Sequence, residues 1–103
     1  MMLRAWLRSH RLVPPWDIEA FRPRMGERPV VLWCTHPSCA RCQRFGASEE
    51  RVAYEDKLCA AEVVPWDCSR RSERALAMSV GVRELPAYIV VPVRGNVKVL
   101  QPH

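Results

Sequence analysis

Val30-Val31-Leu32-Trp33-Cys34-Thr35-His36-Pro37-Ser38-Cys39-Ala40-Arg41-Cys42 is the stretch that decides how this chain folds. Its first part, Val30 to Cys34, is a β-branched apolar run opened by Pro29, the pattern of a buried strand. Pro37 and Ser38 turn the chain, and a Cys-x-x-Cys, Cys39-Ala40-Arg41-Cys42, follows at once. A turn that feeds a helix places Cys39 at the helix N-terminus, where unpaired N–H groups and the helix dipole favour an anion. The thiolate is the reactive form of cysteine. Cys42 comes one turn later on the same face, in position to resolve a mixed disulfide formed at Cys39. The stretch predicts dithiol–disulfide exchange.

Upstream, Leu3, Trp6, Leu7 and Leu12 share one helical face while Arg4, Arg8 and Arg11 take the other, so Met1 to Leu12 reads as an amphipathic helix stopped by Pro14-Pro15. Asp17 is placed to cap a short helix from Ile18 to Phe21, closed by Pro23 and Gly26. Downstream, Cys39 to about Leu58 reads as one long helix with Phe45, Val52 and Tyr54 among its apolar contacts and a weak point at Gly46. Ala61 to Trp66 is a second apolar run, but Pro65 counts against a central strand. Ser72, Ala75, Leu76 and Val80 give a third helix ending at Gly81, with Arg70 and Arg71 as its solvated start. Ala87 to Val91 is another buried strand, and Arg94-Gly95-Asn96 turns it into the alternating Val97-Lys98-Val99-Leu100. Alternating helices and strands followed by a hairpin predict an α/β fold, a central mixed β-sheet flanked by helices. The expected organisation is an N-terminal helical segment over residues 1–27 and one folded domain over 28–103.

Composition narrows the function classes. At 103 residues and 49% hydrophobic content the chain suits one small globular core. No apolar stretch approaches the roughly 20 residues of a membrane span. The first sixteen residues lack an apolar core and a small-residue cleavage site, which argues against a secretory signal; an Arg-rich, acid-poor mitochondrial presequence is the lesser reading. The net charge of +5 comes from fourteen Arg and two Lys, interleaved with acids as in Glu49-Glu50-Arg51 and Arg70-Arg71-Ser72-Glu73-Arg74. That is a solvated basic surface rather than a nucleic-acid footprint. Trp6, Trp16, Trp33 and Trp66 read as packing residues. Five cysteines, at 34, 39, 42, 59 and 68, are an odd number lying beside strand-like runs, which suits a cytoplasmic redox or metal site better than a secreted disulfide framework. Cys59 and Cys68 flank a strand that would hold them apart, so they read as ordinary thiols.

Taken in order, the Cys-x-x-Cys after the first core strand and Val80-Gly81-Val82-Arg83-Glu84-Leu85-Pro86 before the terminal hairpin resemble the thioredoxin superfamily over roughly residues 28 to 101. The resemblance implies a thioredoxin-like domain in which Cys39 attacks and Cys42 resolves. Pro86 would be cis beside the dithiol, and Leu85 would offer its backbone to an extended substrate. It also implies a protein disulfide as substrate, a protein or small thiol as electron donor, no cofactor beyond the dithiol, and neither a nucleic-acid nor a membrane partner. Three departures stand out. Arg41 puts a cation in the motif, which favours oxidising behaviour. Trp33 stands where the family keeps a buried acid. The chain ends at Gln101-Pro102-His103 without the family's C-terminal helix, and the N-terminal helix is expected to cover that sheet face. His36 reads as a turn residue modulating the thiols. Asp67 reads as a turn or cap residue, with a position facing the dithiol as the lesser reading. Two rivals remain: a non-catalytic protein-interaction module on the same scaffold, and a zinc site from Cys34, His36, Cys39 and Cys42. Against zinc, Cys34 falls inside the strand and structural zinc sites usually draw on two separated ligand pairs.

Overall fold

The computed structural model describes residues 16–58 and 60–102. The expected helix from Met1 to Leu12, its proposed covering role, and Cys59 lie outside the described residues. Four strands form one sheet in the order β2-β1-β3-β4: β1 (Val30–Thr35), β2 (Glu62–Asp67), β3 (Ala87–Val91) and β4 (Lys98–Leu100). β1 runs parallel to β2 and antiparallel to β3, and β3 pairs antiparallel with β4. The sheet is therefore mixed, as the alternation predicts. Pro65 sits on β2, which among the described residues borders only β1, so its missing N–H interrupts no second ladder.

Alternation along β1 builds two cores. Val30, Leu32 and Cys34 face one side, where Phe21, Val64, Trp66, Leu76, Val82 and Ile89 close around them. Val31 faces the other side with Phe45 and Tyr88, and Trp33, Tyr54 and Leu58 pack on that cluster. Three helices cover these faces: α1 (Ala40–Gly46), α2 (Glu49–Lys57) and α3 (Arg71–Ser79). Leu76 and Ala77 bring α3 onto the first core, and Phe45 brings α1 onto the second. The single-turn 3-10 helix Ile18–Phe21 is capped by Asp17, whose Oδ1 accepts the Glu19 N–H at 3.0 Å. Phe21 and Trp16 then pack edge-on against the buried Trp66, with ring centroids 5.4 and 5.1 Å away.

The long helix expected from Cys39 to Leu58 is two helices. Gly46 ends α1, and Ser48 starts α2 by accepting the Arg51 N–H at 3.3 Å while donating its hydroxyl to Phe45 O at 2.6 Å. A serine that serves the end of one helix and the start of the next makes a corner rather than a bend. The C-terminus of α3 closes with a Schellman motif. Gly81, at φ 97°, donates to Met78 O and Val82 donates to Ala77 O. This left-handed glycine turns the chain off α3 toward Pro86.

Candidate functional site

Cys39 is the N-cap of α1, and its Sγ accepts the backbone N–H of Cys42 at 3.0 Å. Because α1 is two turns rather than five, the support at Cys39 is this local N–H more than a long helix dipole. Cys39 is half-buried, whereas Cys42 is buried on the inner face of α1. Burial and a hydrogen bond with Cys39 push the Cys42 thiol up to about 11, partly offset by a backbone hydrogen bond from His36. One sulfur faces outward and its partner waits behind it, still holding a proton at neutral pH.

The segment Val82 to Pro86 meets this pair. The Leu85–Pro86 peptide is cis, Pro86 is fully buried, and Leu85 O lies 3.9 Å from Cys39 Sγ. Gln101 steadies the segment: its Oε1 accepts the N–H groups of both Arg83 and Glu84 at 3.0 Å. Nothing in the sequence flagged Gln101 or Glu84. A polar residue just beyond a terminal strand would have been the only hint.

Arg41 bridges the two halves of the site. Its Nη1 meets Glu84 Oε2 at 3.2 Å across the mouth, so the cation expected beside the thiols is engaged with an acid. His36 accepts the Ser38 N–H on Nδ1 at 3.0 Å, and its carbonyl accepts the Cys39 N–H at 3.0 Å. It shapes the turn. Asp67 accepts the Ser69 N–H at 2.9 Å, which with the Ser69 hydroxyl holds its carboxyl below the ordinary range. The same Asp67 lines a cavity of about 400 Å³ with Trp33, Thr35, His36 and Cys42.

The zinc alternative finds no support in the geometry. Among the described residues no group of three or more His, Cys, Asp or Glu is placed to hold a metal ion. The strand register is the reason. Cys34 points into the core, at 0% exposure, while Cys39 is half-buried at the start of α1. Cys68 packs in the same core cluster as Cys34, whose thiol lies 3.7 Å from Leu32 O. All four described cysteines, Cys34, Cys39, Cys42 and Cys68, are free thiols.

Comparison with known proteins supplies the architecture. Thioredoxin O2 from Arabidopsis thaliana aligns over 100% of this chain and 80% of its own, with a TM-score of 0.59 at 14% identity. Spinach chloroplast thioredoxin f, in its short form, aligns over 74% of this chain with a TM-score of 0.53 at 25% identity. The chain has a thioredoxin-like fold. The match spans 65% of the spinach thioredoxin's length. Another similar structure is a thioredoxin f2 in complex with ferredoxin:thioredoxin reductase, with a TM-score of 0.54 at 19% identity over 75% of this chain and 67% of that one. No protein-family model and no curated protein matches the chain. Within this thioredoxin-like fold the Cys-x-x-Cys stands at the end of β1 and the cis-proline segment just before β3, so two neighbouring antiparallel strands deliver both halves of the site to one place.

Among the described residues no helix is long and apolar enough to cross a membrane.

Proposed function

We propose that this protein is a thiol–disulfide oxidoreductase acting on protein disulfides through Cys39 and Cys42. One observation carries the reading: a half-exposed Cys39 Sγ is held at 3.0 Å by the Cys42 N–H and lies 3.9 Å from the Leu85 carbonyl. Cys39 attacks a substrate disulfide. Negative charge on its sulfur is met by the Cys42 N–H. The substrate chain lies along Leu85, held by the Val82–Pro86 segment that Gln101 steadies. Cys42 then gives up its proton, attacks Cys39 Sγ and releases the substrate thiol, leaving the Cys39–Cys42 disulfide. A protein or small thiol returns the pair to the reduced state. The thioredoxin f2 complexed with its reductase shows that a chain of this fold can dock such a protein partner. A reducing, cytoplasmic setting suits a dithiol that must start reduced. The folded domain over 28–103 would carry the activity, and the dithiol calls for no further cofactor.

A non-catalytic docking module remains the second reading, and the Cys42 thiol held up to about 11 favours it, because a protonated resolving sulfur is slow. Insulin-disulfide reduction by the full chain separates the two. The wild type is expected to turn over, Cys39→Ser to fall to background, and Cys42→Ser to stall as a mixed disulfide with substrate. Background activity in all three forms would leave the docking module standing.

A further inference from the structure

A groove of about 620 Å³ opens beside the dithiol, within the size range of ligand clefts, roughly 300–1,000 Å³. Two of its lining residues also touch Cys39: His36 O accepts the Cys39 N–H at 3.0 Å, and Leu85 O lies 3.9 Å from Cys39 Sγ. Met78, Val82 and Leu85 supply its apolar surface. Met78 stands 66% exposed there, while Leu76 and Ala77 on the same helix are buried. An unbranched thioether is an adaptable surface for an apolar side chain. Two cations join that surface. Arg74 comes one turn before Met78 on α3 and so shares its face. Arg83 comes from the segment before Pro86, where Gln101 Oε1 holds its N–H at 3.0 Å. Both arginines are exposed, and among the described residues neither forms an ion pair. Among the described residues no acid lines the groove, and Glu84, next to Arg83, is engaged with Arg41 at 3.2 Å. The carbonyls of Ala77 and Met78 are already hydrogen-bonded by the Val82 and Gly81 N–H groups, which blunts the negative end of α3.

We propose that this groove selects acidic segments of substrate proteins. The inference rests on the oxidoreductase reading, which lays the substrate chain along Leu85. With the substrate cysteine at Cys39, the apolar side chain next to it seats on Met78, Val82 and Leu85. An Asp or Glu a little further along the substrate meets Arg74 and Arg83. A guanidinium presents a planar fork of donors that matches a carboxylate, so each contact is a charge-assisted hydrogen bond as well as an attraction. Apolar burial alone would accept any segment with a leucine. Two cations free of ion pairs add the choice, because they repel a basic segment as they attract an acidic one. The net charge of +5 acts in the same direction at longer range and speeds encounter with an acidic surface. The smaller groove of about 290 Å³ at Arg41 carries Glu50 as well as Arg44, so its preference is weaker.

The test uses the reduced full chain and two end-blocked synthetic peptides, each presented as its disulfide-linked dimer. One is Glu-Glu-Leu-Cys-Leu-Glu-Glu and the other Lys-Lys-Leu-Cys-Leu-Lys-Lys. The second-order rate of peptide thiol release is measured in a single turnover at low salt. Each rate is divided by the rate with free dithiothreitol, which removes the intrinsic reactivity of the two disulfides. The acidic dimer is expected to react about fivefold faster or more on that scale, and Arg74→Glu with Arg83→Glu to reverse the preference. Salt at about 0.5 M should bring the ratio within about twofold of one. Arg94→Glu, which makes the same charge change as either single variant beyond the end of β3 away from Pro86, should leave the ratio unchanged. All three substitutions fall at exposed positions, so the fold is retained. Equal normalised rates for the two dimers overturn the groove and leave the oxidoreductase reading intact. So does a ratio that Arg94→Glu lowers as much as Arg74→Glu or Arg83→Glu, or a Glu-Glu-Ser-Cys-Ser-Glu-Glu dimer that reacts as fast as its leucine parent. Thiol release from neither peptide removes both.

Discussion

At Cys42 a single proton governs the second half of the exchange. Its thiol is pushed up to about 11 by burial and by Cys39, so the attacking thiolate is scarce at neutral pH. Release of a mixed disulfide trapped at Cys39 should therefore speed up about tenfold per pH unit from pH 7 toward 10, a slope that stopped-flow release of a labelled peptide would measure. A flat profile would instead mean that a base removes the proton, and Asp67, which lines a cavity with Cys42, is a candidate. Arg41 is the second residue whose chemistry is set by a partner. Its ion pair with Glu84 is exposed at both ends, so its worth is at most about 1 kcal/mol. Glu84→Gln frees the guanidinium to favour the thiolate form and should raise the reduction potential of the Cys39/Cys42 pair by roughly 10–20 mV, read by equilibration with glutathione. The Cys-x-x-Cys and its neighbours were legible in the sequence because they are local. Glu84 and Gln101 were not, since each acts on a segment far away along the chain.

At the scale of elements, the corner between α1 and α2 shows how much one hydroxyl can decide. A chain from Ala40 to Lys57 has helix-forming content throughout, and Gly46 alone would permit a bend. Ser48 bonds backwards to Phe45 O and forwards to the Arg51 N–H, which ends one helix and starts another. Ser48→Ala should lower stability by about 1 kcal/mol in urea denaturation while leaving insulin reduction unchanged, because the dithiol is held by α1 alone. A loss of activity at unchanged stability would show that the corner positions Cys39. On the sheet, Pro65 was a reason to doubt a central strand, and the strand it occupies borders only β1 among the described residues. The hairpin turn at Arg94-Gly95-Asn96 is part of a longer connection, since β3 ends at Val91 and β4 starts at Lys98.

Across the whole molecule, two cores and several buried protons set stability. Trp66 anchors the first core: it is fully buried, meets Trp16 and Phe21 edge-on, and donates its indole N–H to Glu73 O at 2.8 Å. Trp66→Ala should cost about 3–5 kcal/mol in chemical denaturation, whereas Val52→Ala, on an exposed position of α2, should cost much less. Cys34, Cys42 and Tyr88 all hold their protons more tightly folded than unfolded, Cys42 to about 11 and Tyr88 to about 12. The unfolded chain releases those protons first, near the ordinary thiol and phenol values of 9.0 and 10.0. Above about pH 9 the native state thus binds more protons, and stability should fall as pH rises through 11 and 12, as urea midpoints across that range would report. Cys68 acts in the opposite sense below its ordinary value, so the decline begins only once the unfolded thiols start to ionise.

The sequence by itself determined the β1 strand, the turn at Pro37-Ser38, the dithiol spacing and the alternation that makes the sheet mixed. Each of these depends on residues a few positions apart, whose periodicity and backbone preferences act before any tertiary contact forms. Only the tertiary structure decided that Cys34 and Cys68 pack in one core, that Arg41 turns to Glu84, and that Gln101 holds the segment before Pro86. Those pairings depend on strand order and on which face each strand buries, and a parallel β1–β2 neighbourhood brings together residues more than thirty positions apart that no local pattern connects.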